Sequence, residues 1–420
     1  MPTAQTAITK DVVIVGAGQA GLGVSYYLAQ KGIDHVVLEK GLPGETWRSQ
    51  RWDSFALNTD NSTTNMPGTS FHPERPEAFE LTRALTDHFD RYIAEMALPV
   101  RTGVQVTAVQ RSGDAASFTL SSSAGRFEAR AVVVASGIQN VPKFPAIADR
   151  QPEAIAKHHT ASYRNPAQLP AGAVMVVGGG QSGCQIVEEL VAAGRTVYLA
   201  TSRVGRVRRY YRGRDILAWW AANGFFAQGI ADLADPAEQH NRQPMISGTE
   251  GGHTISLQAL WRSGARLTGR LRGFEGSVAS FDDNLGDNIA FADGLPARIL
   301  GRIDDYIESA GIDAPAREDD SIDDVDAEAL KLHSPASVDL SEAGVTSIVW
   351  STGFGGDFAY IDVEGALDGR GLPVHNGGVS PVPGLFYMGF PWLRTRASGV
   401  ILGIPDDAEA IAGEVQRALG

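Results

Sequence analysis

The chain has 420 residues, 43% apolar and 20% charged, which fits a soluble globular protein long enough for two cores. Its 49 acidic and 36 basic residues leave a net charge of −13, and this argues against a nucleic-acid or anionic-membrane partner. The single cysteine, Cys184, excludes an internal disulfide and a Cys-x-x-Cys redox pair. Met1 to Lys10 has no apolar leader segment, and no stretch approaches the ~18 unbroken apolar residues of a membrane span. The expectation is a cytoplasmic protein without a membrane partner.

In chain order, Asp11 to Val15 reads as a short buried strand. Gly16-Ala17-Gly18-Gln19-Ala20-Gly21 follows, then a helical stretch to Gln30, closed by Lys31-Gly32. His35 to Glu39 is the next strand. Gln105 to Val134 alternates apolar and polar residues between Gly and Ser turns, as antiparallel strands do. Pro142, Pro145, Pro152, Pro166 and Pro170 mark a crossing to a second unit. Val174 to Val177 then repeats the opening pattern, with Gly178-Gly179-Gly180-Gln181-Ser182-Gly183, a helix to Ala193, Gly194, and a strand from Thr196 to Ala200. The interval from Gly16 to Gly32 equals that from Gly178 to Gly194, so the two units are copies of one plan. Residues 208 to 230 are arginine-rich and aromatic, with a helical core around Asp215 to Ala222. Glu318 to Glu328 is acidic and reads as a solvated loop or helix face. Thr346 to Thr352 is a strand ending at Gly353. The closing helix begins near Asp406, whose carboxylate is placed to cap it.

Two β-α-β units imply an α/β fold with two Rossmann-like dinucleotide-binding domains on parallel sheets, plus small antiparallel segments. The first domain is expected over 1–165 and 346–420, and the second over 166–345, with a helical and aromatic insertion around 208–262.

A lone G-x-G-x-x-G is weak evidence, but here each copy follows an apolar strand and opens a helix. Gly16 permits the tight turn, Gly18 lets the backbone approach a pyrophosphate, and Gly21 lets the helix pack close to the strand. Gly178, Gly180 and Gly183 repeat these roles, with Gln181 and Ser182 at the helix start, where amides and dipole favour anions. Glu39, at the end of the second strand, suits ribose hydroxyls and repels a 2′-phosphate, so the first site is expected to take FAD. The equivalent place in the second unit is Ala200 or Thr201, followed by Ser202 and Arg203. Hydroxyls and a guanidinium suit a phosphate, so the second site is expected to take NADPH. An ordinary surface arginine is the alternative for Arg203.

Further residues carry a resemblance. Gly44-Glu45-Thr46-Trp47, Leu57-Asn58-Thr59, Ser351-Thr352-Gly353-Phe354, the Gly384 to Gly389 strand, and Ser398, Gly403 and Asp407-Ala408 together resemble the flavin-containing monooxygenase superfamily in its bacterial class B sense. The resemblance implies that Trp47, Gly389 and Asp407 help to hold the flavin. It also implies that Asn58 lies between flavin and nicotinamide, where it bonds the nicotinamide amide and a flavin peroxide. The family element between the two units survives only as His159-x-x-x-Tyr163-Arg164; Glu153 and Ile155 stand where a Phe and a Gly are expected. His159 is either a cofactor-positioning residue or an interdomain histidine, and Asn58 is otherwise a turn former. The Tyr-Arg ending departs from the Trp-Pro of ketone-to-ester enzymes. Residues 205 to 226 are similar to a bacterial branch known only as flavoproteins, so they name no substrate. There Trp219, Trp220 and Ile216 either line a flat apolar pocket or pack as core. Arg206, Arg208, Arg209, Arg212 and Arg214 either serve a phosphate or anionic substrate or are solvated.

The activity implied is an NADPH-using, FAD-dependent monooxygenase that passes one oxygen from a C4a-hydroperoxyflavin to a soft nitrogen or sulfur nucleophile. Its partners are a small organic substrate and O2, and a homodimer is allowed. The cofactor supplies the hard chemistry, and the protein must exclude water. A flavin oxidase or dehydrogenase, or a flavoprotein that reports NADPH without oxygen insertion, are the alternatives. No metal is expected, since His158-His159 has no companion ligands.

Overall fold

The computed structural model describes residues 7–113, 117–240, 244–317 and 328–420. A sheet with a parallel core stands behind each glycine loop. The first has eight strands in the order Ile361–Asp362, Val106–Arg111, Phe118–Ser122, Gly125–Val134, Ile8–Val15, His35–Leu38 and Val100–Arg101, with Leu385–Tyr387 also paired to Gly125–Val134. Val12, Val13 and Ile14 have no exposed surface, as expected where both faces of a parallel sheet are covered. The alternating segment forms the antiparallel pairs Val106–Arg111 with Phe118–Ser122 and Phe118–Ser122 with Gly125–Val134. Gly125–Val134 also pairs in parallel with Ile8–Val15.

The second sheet has five strands, all parallel, in the order Arg266–Thr268, Val197–Ala200, Ala173–Val177, Val345–Trp350 and Ala156–His159. The expected division at 165 and 346 therefore cuts through this sheet. Ala156–His159 and Val345–Trp350, read as parts of the first unit, are strands of the second. Pairing partner rather than strand propensity decides membership, and Val345–Trp350 finds its partners at Ala173–Val177 and Ala156–His159. The two crossing segments, Val141–Pro142 and Phe354–Gly355, pair antiparallel with each other.

The fingerprint helices run over Gln19–Gln30 and Gln181–Ala192. The last helix is Ile404–Leu419, starting behind Gly403. Asp406 lies in its first turn instead of capping it, because Pro405 presets the helical φ one residue earlier. In the insertion, Asp215 caps the Ile216–Ala222 helix by accepting from the Leu217 amide at 2.7 Å. Its buried face joins Leu300, Ile303 and Ile307 of the long Leu285–Ser309 helix in a core of its own. Of the acidic run Glu318 to Glu328, all but Glu328 lie outside the described residues.

Candidate functional site

The two glycine loops are physical duplicates. Gly16 and Gly178 have φ of +106° and +116°, a region that disfavours side chains. A Cβ on Gly21 would lie 1.9 Å from the Gly16 carbonyl oxygen, and one on Gly183 would lie 1.9 Å from that of Gly178. These glycines close the helix onto the turn. Gly18 and Gly180 differ, since a Cβ on either meets nothing within 4 Å. Both face open space at a helix N-terminus, as a phosphate cradle requires.

Both cradles open on one cleft of about 2180 Å³, lined by Gly16, Gly18, Glu39, Trp47, Asn58, Gly178, Gly180, Gln181, Ser182, Ser202, Arg203 and Gly389. A drug-sized ligand needs only ~300–1,000 Å³, so this cleft has room for two dinucleotides and a substrate. Glu39 is buried and accepts the amides of Ala17 and Gly41, each at 2.8 Å. This fixes the carboxylate while each oxygen keeps a lone pair for a ribose hydroxyl. The Trp47 indole donates to Gln19 Oε1 at 3.0 Å, at the first turn of the fingerprint helix.

Asn58 sits where the two units meet. Its backbone carbonyl accepts from Arg209 Nη1 at 2.8 Å, and its Oδ1 accepts from Gln185 Nε2 at 3.1 Å. A Cβ on Gly248 would come within 1.8 Å of the Leu57 carbonyl, so the insertion presses directly on this loop.

Residues 13–219, spanning both loops, match the family model described as pyridine nucleotide-disulphide oxidoreductase. Over 418 residues the chain is 28% identical to an "uncharacterized oxidoreductase CzcO-like" of Geobacillus kaustophilus, covering 96% of this chain and 98% of that one. Over 184 residues it is 29% identical to indole-3-pyruvate monooxygenase YUCCA1 of Oryza sativa subsp. japonica, covering 43% of this chain and 45% of that one. In fold it resembles a flavin-containing monooxygenase from Stenotrophomonas maltophilia, with a TM-score of 0.66 at 18% identity over 98% of this chain and 99% of that one. By fold and by these partial sequence likenesses the chain is similar to flavin-containing monooxygenases and related oxidoreductases.

The relative matched over the full length is described as an oxidoreductase, and this chain's lone cysteine separates it from dithiol chemistry. Cys184 is buried beside Met245 at 3.5 Å, and burial pushes its thiol pKa up.

Several expected site residues lie elsewhere. His159 is buried and absent from the cleft lining. Its Nδ1 accepts the Ala161 amide at 3.1 Å, so Nε2 carries the proton and donates to the Gly353 carbonyl at 3.1 Å. With both nitrogens occupied by backbone and its pKa lowered by burial, it braces the crossing segment and is not placed to act on a ligand. The surviving half-element is a staple. Tyr163 donates to Glu189 at 2.5 Å, Ser54 donates to the same carboxylate at 2.7 Å, and Arg164 donates to the carbonyls of Ser49, Arg51 and Ala161. Asp407 is also buried behind the cleft wall and not on it, with a hydrogen bond from Ser398 and Arg394 at 3.8 Å.

The arginine run is largely structural. Arg206 pairs with Asp293 and Arg209 with Asp215, each at 2.6 Å, and all but Asp293 are buried outright. Arg212 pairs with Asp304 at 3.0 Å, while Arg214 lies 4.7 Å over Trp219. Trp219 is fully buried, donating to the Tyr211 carbonyl at 2.7 Å, whereas Trp220 lines the cleft with Leu217 and Phe226. Thr201, Ser202 and Arg203 all line the cleft, but Thr201 donates its hydroxyl to the Thr268 carbonyl at 2.7 Å. Arg203 stands over the Phe291 ring at 4.4 Å.

Arg51, Arg270 and Arg298 also line the cleft, and the motifs did not point to them. Arg51 lies over Trp47, Phe55 and Phe354 at 4.9, 5.6 and 5.9 Å, and burial alone lowers its pKa to about 10. The available signal was an arginine four positions after Trp47. Among the described residues no cluster of three or more metal-ligating side chains occurs, and no helix is long and apolar enough to cross a membrane.

Proposed function

We propose that this chain is an FAD-dependent, NADPH-using monooxygenase acting on a soft nitrogen or sulfur nucleophile of a small organic substrate. The observation that carries the reading is the single cleft joining two matching phosphate cradles, with Asn58 between them. Glu39 supports FAD in the first cradle, because a carboxylate fixed by two amides repels a 2′-phosphate. Ser202 and Arg203 support NADPH in the second, with Arg270 and Arg298 on the same lining. When bound, the two cofactors supply reduction of O2 by NADPH, with one oxygen atom entering the substrate and the other leaving as water.

The protein's own part is positional. The open space at Gly18 and Gly180 lets pyrophosphates approach the helix amides, Trp47 packs at the first fingerprint, and Trp220, Leu217 and Phe226 offer an apolar wall that keeps water from the reacting atoms. Two further fold neighbours, a complex of OTEMO with FAD and NADP and an S-allyl-L-cysteine S-oxygenase from Allium sativum, support the same cofactors and a sulfur acceptor. The test is to load purified protein with FAD and screen amines and thioethers for NADPH and O2 consumption, tracing ¹⁸O2 into product. NADPH consumption stimulated by a substrate, with one labelled oxygen per product, is expected. Flavin turnover with no label in any product, and all O2 recovered as H2O2, would overturn the monooxygenase reading in favour of an oxidase.

A further inference from the structure

Gln185 is buried on the Gln181–Ala192 helix of the second unit, yet it reaches the first unit. Its Nε2 donates to Asn58 Oδ1 at 3.1 Å and to Ser247 Oγ at 3.2 Å, so both N–H groups are used. Its Oε1 is buried and has no partner. Turning this amide over would instead bury two unpaired N–H groups to satisfy one carbonyl. Orphaned N–H groups are rarer and costlier than an under-satisfied carbonyl, so the orientation shown is the favoured one. Ser247, fully buried, supports it by also accepting the Thr249 amide at 3.1 Å. Asn58 lines the cleft, and with Oδ1 occupied and its backbone carbonyl held by Arg209, its side chain keeps Nδ2 as the donor for a ligand.

We propose that Gln185 is a positioning residue that fixes the Asn58 amide with Nδ2 toward the cleft. The site then presents a hydrogen-bond donor to a carbonyl oxygen of the ligand, namely the nicotinamide carboxamide oxygen. The proposal rests on the reading that Asn58 faces the nicotinamide. It also makes the second fingerprint helix responsible for the polarity of a residue in the first unit, and so couples the two cofactor sites.

The experiment compares two probes on FAD-loaded protein by their perturbation of the flavin absorbance. NADP+ carries a carboxamide, with both a donor and an acceptor. Its 3-acetylpyridine analogue offers only the acceptor oxygen. The unmodified protein should bind the two within about 2-fold of each other. Gln185→Glu, an acceptor only, forces Asn58 to donate to it and to present Oδ1 instead. The acetylpyridine analogue should then bind about 2- to 10-fold more weakly than NADP+, by the net value of one hydrogen bond. Gln185→Met frees the amide, and should weaken both probes by a similar factor while leaving the ratio near one. Melting temperature and flavin content show that each variant is folded, and a merely structural role would not move the probe ratio. Asn58→Leu separates the two layers of the argument. If it leaves NADP+ binding unchanged, the placement of Asn58 is wrong and the proposal falls with it. If Asn58→Leu weakens NADP+ but neither Gln185 variant changes affinity or ratio, the role of Gln185 alone is refuted.

Discussion

Gly18 and Gly21 lie on the same loop and should respond to substitution in opposite ways. Gly18 has φ −79° and ψ −177°, extended backbone open to any side chain, and a Cβ there meets nothing within 4 Å. Gly18→Val should therefore leave the fold intact. At a helix N-cap valine is less favourable than glycine, by about 1 kcal/mol. The new side chain occupies the space that lets a pyrophosphate reach the helix amides. Each hydrogen bond to a charged group is worth about 1.5–3 kcal/mol, so losing one weakens flavin binding by roughly 10- to 150-fold. Gly21→Ala, in contrast, puts a Cβ 1.9 Å from the Gly16 carbonyl oxygen, backbone that cannot swing aside. The helix must move away from the strand, with losses in the about 1–3 kcal/mol range typical of overpacking. The assay is flavin titration of the apoprotein together with its thermal melt. Gly18→Val should show weak flavin binding with the apoprotein melt lowered at most slightly, and Gly21→Ala a more strongly lowered melt. A Gly18→Val protein that binds FAD as tightly as the parent would refute the cradle assignment.

Arg203→Ala should weaken NADPH by roughly 10- to 150-fold, the worth of one charge-assisted hydrogen bond, and leave NADH nearly unchanged. Equal losses for both would mean that Arg203 acts through its packing on Phe291. Stability should also depend on pH through Asp407. Burial pushes its carboxyl up to about 6, against the opposing Ser398 hydrogen bond and Arg394. Because the folded pKa lies above the unfolded value of about 3.9, the group favours folding fully below pH ~4 and loses that contribution as pH rises through 6. Asp407→Asn should thus stabilise the apoprotein at neutral pH, by up to about 3 kcal/mol, and flatten denaturant midpoints between pH 4 and 7. An unchanged midpoint profile would place the pH sensitivity elsewhere.

The glycine loops were legible in the sequence because their constraints are local. Gly16 and Gly178 need a positive φ, and Gly21 and Gly183 need the absence of a Cβ, within a few residues of chain. Glu39 was legible for the same reason, its distance from the loop being set by one helix and one strand. The closing strand of the second sheet was legible as a strand, but not as that sheet's, since Val345–Trp350 chooses its neighbours across more than a hundred residues. Burial is likewise a property of the assembled molecule. A histidine in a partial motif gives no sign that both its nitrogens will meet backbone, and five clustered arginines do not show which will find Asp215 or Asp293. Gln185 left a fainter trace, as a polar residue on the apolar side of a fingerprint helix. The residue it reaches lies 127 positions away, and only the docking of the two units brings Asn58 to it.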